Sequence, residues 1–130
     1  MNYVVINWIS AQSNDAYITL DKQRRIYVSS GARKIIGLPD KAPFYLTIGY
    51  DDEANRLVCA KPESVKSDAT PFKFDKRSYN KAASKVIKAA GFKDEDLPLR
   101  FQMIGEDEAA KQPYMAYPSG VYAFDLSSAK

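Results

Sequence analysis

Two stretches of this 130-residue chain repeat one another at a fixed spacing, and that limits what it can fold into. Ile18-Thr-Leu-Asp-Lys22 lies against Phe72-Lys-Phe-Asp-Lys76, and Ala32-Arg-Lys-Ile-Ile-Gly37 against Val86-Ile-Lys-Ala-Ala-Gly91, both at an offset of 54. Two single-residue insertions extend the match to Pro43 through Gly49 against Pro98 through Gly105, to Asp51-Asp-Glu-Ala54 against Glu106-Asp-Glu-Ala109, and to Pro62 against Pro118. A unit of roughly 45 residues buries too little apolar surface to be stable alone. The two units must therefore pair, with each other or with those of a second chain.

Within the first unit, Ala16 to Leu20 reads as a strand with Ile18 and Leu20 on one face, followed by a basic turn, Lys22 to Arg25, and a second strand through Ile26 and Val28. Ser29 or Ser30 caps a short helix, Gly31 to Ile36, because a serine oxygen accepts from an orphan amide of the first turn. Gly37 supplies the left-handed stop and Pro39 forbids resumption. A hairpin follows, with Phe44, Leu46 and Ile48 in one strand, a turn at Asp51 to Asn55, and Leu57 to Ala60 returning. In the second unit a short strand over Phe72 to Lys76 leads to a helix capped by Ser78 or Asn80. Its apolar positions run from Tyr79 through Ala82, Ala83, Val86, Ile87 and Ala90, and Gly91 ends it. On this reading the Arg25-Ile-Tyr-Val28 strand of the first unit has become part of a longer helix in the second. Leu97 to Ile104 and Pro113 to Tyr117 are expected as strands around the acidic turn Gly105 to Lys111, and Val121 to Leu126 as a last strand. Residues 2 to 9, rich in β-branched and aromatic side chains, are expected to form a largely buried strand in a hairpin with Ala16 to Leu20. The division is then an N-terminal strand plus first unit over 1–62, a polar linker over 63–71, and a second unit with its last strand over 72–130.

No apolar run approaches the about 20 residues of a membrane span. The longest, Tyr3 to Ile6 resumed at Trp8, lacks a basic flank of the secretory kind, so a cytoplasmic protein is expected. Net charge is only +3, but its distribution is uneven. Lys22 to Lys34 holds five bases and no acid, Lys73 to Lys93 holds seven bases against Asp75, and the acids gather in three triplets at turns. A basic edge of this kind suits sequence-independent phosphate contact; a solvated helix face is the competing reading.

Catalysis has little support. The chain has no histidine, which removes the commonest general base and metal ligand. Its one cysteine, Cys59, lies in an apolar strand and reads as a core residue. The acidic triplets lack the spacing and turn glycine of a calcium loop, so neither metal nor cofactor is expected. Of the nine tyrosines several, such as Tyr114, Tyr117 and Tyr122, alternate in strands and read as core or interface rather than as base-stacking platforms.

The first unit resembles the AbrB superfamily of swapped-hairpin regulators, with the related MazE, SpoVT and MraZ proteins. The family order is an aspartate-bearing strand, a Gly-Arg turn, an apolar strand ending in proline, a short arginine-bearing helix, a leucine or glycine stop and an acidic hairpin. Here those places are taken by Asp21, Gln23-Arg24-Arg25, Ile26 and Val28, Ser29, Arg33, Gly37-Leu38, and Phe44 to Ala60. Arg24 stands where the family has glycine, and Ser29 where it has proline. The resemblance implies an α+β fold of two swapped-hairpin repeats closed into a small barrel-like pseudo-dimer with short helices. It also implies a transcription regulator that binds double-stranded DNA through Lys22, Arg24, Arg25, Arg33 and Lys34, and further association into a homodimer. For Arg25 and Arg33 the competing reading is a structural ion pair to Asp21 or another acid. Lys81, Lys85 and Lys88 form a possible second basic face, or a solvated one. The alternative function is a protein-interaction module, inhibitor-like or antitoxin-like, that has lost DNA contact and has a protein partner instead.

Overall fold

The computed structural model describes residues 3–8, 15–104, 117, 118 and 120–126. Eight antiparallel strands form a nearly closed, barrel-like sheet with two helices. In chain order these are β1 (Tyr17–Leu20), β2 (Ile26–Val28), α1 (Ser30–Ile36), β3 (Phe44–Asp51), β4 (Arg56–Ala60), β5 (Phe72–Phe74), β6 (Tyr79–Asn80), α2 (Ala83–Ala90), β7 (Leu99–Ile104) and β8 (Tyr122–Leu126). The order across the sheet is β5-β3-β4-β8-β7-β1-β2-β6. Its two end strands are joined by the turn at Asp75, whose N–H donates to the Tyr79 carbonyl at 2.9 Å, so the sheet curls back on itself.

The period-2 alternation of the strands decides which side chains face inward. Ile18 and Leu20 of β1, Ile26 and Val28 of β2, Leu46 of β3, Leu57 of β4, Phe74 of β5, Phe101 of β7 and Phe124 of β8 are all fully buried. The Phe44 and Phe74 rings stack 5.0 Å apart across the β3–β5 ladder. Helix α1 adds Ala32 and Ile36 to this core, and α2 adds Ala83, Val86 and Ile87. Both helices end on a left-handed glycine, Gly37 at φ 85° and Gly91 at φ 80°.

Ser29 is the cap of α1 and is also a tie between elements. Its hydroxyl accepts from the Ala32 and Tyr17 amides at 3.1 and 2.9 Å and donates to the Asp15 carbonyl at 2.9 Å.

Two expectations need correction. Residues 3–8 form no strand, and Tyr3, Val4, Val5 and Trp8 are each at least 85% exposed. β-Propensity measures fit to a half-buried surface, and β1 already has β2 and β7 on its two edges, so the segment has no place beside it. Second, Tyr79 and Asn80 belong to a strand that pairs with β2, not to a longer helix. A left-handed Ser78, φ 71°, turns the chain back, and α2 begins only at Ala83, after the Asn80 side chain has accepted from the Ala82 amide at 2.7 Å. The strand expected at Pro113 to Tyr117 and the turn at Gly105 to Lys111 lie outside the described residues, apart from Tyr117, which is in no strand. β7 is paired on both edges, with β1 and with β8. The stretch read as a linker opens with a 3-10 turn, Pro62–Ser64. No helix among the described residues is long and apolar enough to cross a membrane.

Candidate nucleic-acid interface

Lys22, Arg24 and Arg25, and Lys76 and Arg77, sit on two turns built alike. In the β1–β2 turn the Arg24 amide donates to the Asp21 carbonyl, the Asp21 amide to the Arg25 carbonyl, and the Arg25 amide to the Asp21 carboxylate, at 3.0, 3.0 and 2.8 Å. In the β5–β6 turn the Ser78 amide donates to the Asp75 carbonyl, the Asp75 amide to the Tyr79 carbonyl, and the Tyr79 amide to the Asp75 carboxylate, at 2.9, 2.9 and 3.1 Å. Each turn holds one left-handed residue, Arg24 at φ 59° or Ser78 at φ 71°. An aspartate at the strand end suits this geometry, because its carboxylate accepts from backbone amides of its own turn. Lys22 and Arg24 are left exposed on the first turn, Lys76 and Arg77 on the second.

The antiparallel β2–β6 ladder, with Ile26 opposite Asn80 and Tyr27 opposite Tyr79, sets the turns at its opposite ends. At one end the Ala83 amide donates to the Arg24 carbonyl at 3.2 Å, which brings Lys22 and Arg24 beside the start of α2, near Lys81. At the other end the Val28 amide donates to the Ser78 carbonyl at 3.1 Å, which brings Lys76 and Arg77 beside the approach to α1. Lys81, Lys85 and Lys88 are all exposed, with Lys81 just before α2 and Lys85 and Lys88 within it.

The five first-unit residues are therefore not one patch. Lys22 and Arg24 are exposed together, with Arg24 ion-paired to the exposed Asp94 at 2.5 Å. Arg25 is tied into the turn, its Nε donating to the Asp21 carboxylate at 2.8 Å and its guanidinium lying 4.5 Å over the Tyr79 ring. Arg33 and Lys34 are separated from that turn by the length of β2 and line a cleft of about 660 Å³ with Tyr17, Tyr27 and Asp40. The Arg33 side chain is only 15% exposed and is held 3.5 Å from Asp40. Its Nε and Nη1 are buried without a hydrogen-bond partner. Burial, then the neighbouring Tyr17 and Tyr79, raise the Tyr27 pKa, and the positive charge of Arg33 partly opposes them.

Lys76 and Arg77 went unnamed among the sequence-derived candidates. The signal was present, since Lys76 stands against Lys22 in the repeat. Among the described residues no three acidic or cysteine side chains gather as a metal site would need. No protein-family model matches the chain, and neither the curated proteins nor the solved structures returned a match.

Proposed function

We propose that the chain is a DNA-binding regulator built as a swapped-hairpin pseudo-dimer, in which two related units within one chain present two basic turns to duplex phosphates. The observation that carries this reading is the pair of aspartate-anchored turns with the same three hydrogen bonds, one at each end of the β2–β6 ladder, each exposing two bases. Long basic side chains on rigid turns are what counterion-releasing phosphate contact requires.

The pairing scheme supports the two-unit part. The first strand of each unit also pairs with the third strand of the other: β1 pairs with β7, and β5 with β3. The registers agree with the sequence repeat, since Ile18 opposite Phe101 and Leu20 opposite Leu99 correspond to Phe72 opposite Leu46 and Phe74 opposite Phe44. The ladders β2–β6 and β4–β8 join equivalent strands. Arg24 and Ser78, at the place where the resembled family carries glycine, both take the left-handed conformation glycine favours.

The test is titration of a nonspecific duplex at two salt concentrations. The reading predicts binding at low ionic strength that weakens steeply with salt; absence of salt-sensitive binding contradicts it. A second reading, a protein-interaction module in the cytoplasm, is favoured by the exposed apolar run Tyr3 to Trp8. It predicts one stoichiometric protein partner that survives nuclease treatment and is lost when residues 3–8 are removed.

A further inference from the structure

The outer face of β1, β2 and β6 carries a row of partly buried aromatic rings that the core does not use. Because Ile18, Leu20, Ile26 and Val28 take the inward positions, Tyr17, Tyr27 and Tyr79 stand outward. The Tyr17 and Tyr27 ring centroids are 6.2 Å apart, and those of Tyr27 and Tyr79 4.9 Å apart. An arginine closes each end, with the Arg100 guanidinium 3.7 Å over Tyr17 and that of Arg25 4.5 Å over Tyr79. Across three neighbouring strands the row spans about 10 Å. The cleft beside Tyr17 and Tyr27 is walled by Arg33 and Lys34. The Arg33 guanidinium is held there by packing, and its nearest acid, Asp40, is itself mostly exposed.

A row of tilted rings on one sheet face, with a guanidinium over each end ring and further cations beside it, matches one ligand chemistry, a planar base joined to a phosphate. A duplex keeps its bases stacked on one another, so these rings have nothing to offer it. We propose that this face binds single-stranded nucleic acid: about two or three unpaired bases stack on Tyr17, Tyr27 and Tyr79 while Arg33 and Lys34 hold a neighbouring phosphate. The assignment does not rest on the duplex reading, although the row lies between the two basic turns.

The test uses the full chain and a fluorescent thymidine oligonucleotide of about eight residues, followed by anisotropy at low salt. Tyr27→Phe keeps the ring and is expected to bind as wild type. Tyr27→Leu and, separately, Tyr79→Leu are expected to weaken binding by about five- to a hundredfold, with far-ultraviolet circular dichroism confirming that each variant folds. Three results would overturn the assignment. One is wild-type affinity in both leucine variants. Another is an abasic strand of equal length binding as tightly, which would leave phosphate attraction alone. The third is a thymidine mononucleotide binding as tightly as the strand. The duplex reading fails separately: Lys22→Ala with Arg24→Ala tests the turns, whereas Tyr27→Leu leaves duplex affinity unchanged.

Discussion

Replacing Ser29 with alanine tests how the fold positions α1. The hydroxyl is buried, 3% of the residue being exposed, and it serves three backbone groups at once. Loss of the helix cap on the Ala32 amide costs about 1 kcal/mol. The Tyr17 amide, which also turns to Ser29, is left without its acceptor at the start of β1, for about 1–2 kcal/mol more. The Asp15 residue is exposed, and its carbonyl can turn to water at little cost. The expected loss is thus about 2–3 kcal/mol. With an unfolding entropy of about 2.1 cal/mol/K per residue, the 130-residue chain should lose about 7–11 °C in Tm. Thermal unfolding followed by circular dichroism reads this directly. Ser30→Ala is the control, since Ser30 is exposed and its side chain does not make the cap; it should move Tm by less than about 2 °C. A loss below about 2 °C for Ser29→Ala as well would refute the assignment of Ser29 as a tie between β1 and α1.

Three further predictions follow from particular groups. Ser78→Gly should raise stability by about 1 kcal/mol, because Ser78 holds a left-handed backbone and a buried hydroxyl without a partner, and relief of both exceeds the extra chain entropy of glycine; an unchanged or lower urea midpoint would refute it. Cys59, fully buried with its thiol pKa pushed up to about 12 by burial, should resist thiol-specific alkylation in the native protein and react only on unfolding; rapid labelling without denaturant would refute that burial. The Asp51 carboxyl is held below its ordinary range, first by the Tyr117 hydroxyl and then by the Ala54 amide, so its contribution is complete above the ordinary carboxylate pKa and is lost as pH falls through the lowered value. Tyr117→Phe should therefore flatten the fall of Tm between pH 5 and pH 3, and an unchanged profile would refute the coupling.

Much of this architecture was legible because its local signals are backbone signals. Gly37 and Gly91 mark the helix ends, Ser29 the cap, and the Phe44-to-Ala60 alternation the hairpin, each by a rule that operates within a few residues. Misreadings arose where a neighbour outweighed the local pattern. Tyr79 fits the helical period of α2, but the Asp75 carboxylate and the β2 edge hold it in a strand. Tyr3 to Ile6 has strand composition, yet both edges of β1 are occupied. At the candidate site, charge pattern alone did not separate Arg25, neutralised by Asp21 and covered by Tyr79, from Lys22 three residues earlier, which is exposed. Nor did it show that Lys76 and Arg77 share the β2–β6 ladder with Lys22 and Arg24. That depends on pairing between residues about 50 apart, which no local pattern encodes.

If two equivalent basic turns face one nucleic-acid backbone, the salt dependence of duplex binding reports on both. Affinity is measured across a salt series for the wild type, for Lys22→Ala with Arg24→Ala, and for Lys76→Ala with Arg77→Ala. Each pair of substitutions should lower the log–log slope by about 1–2 and to a similar extent, and all four together should abolish binding. Equal slopes in all the proteins, or one turn carrying the whole effect, would contradict the two-turn reading.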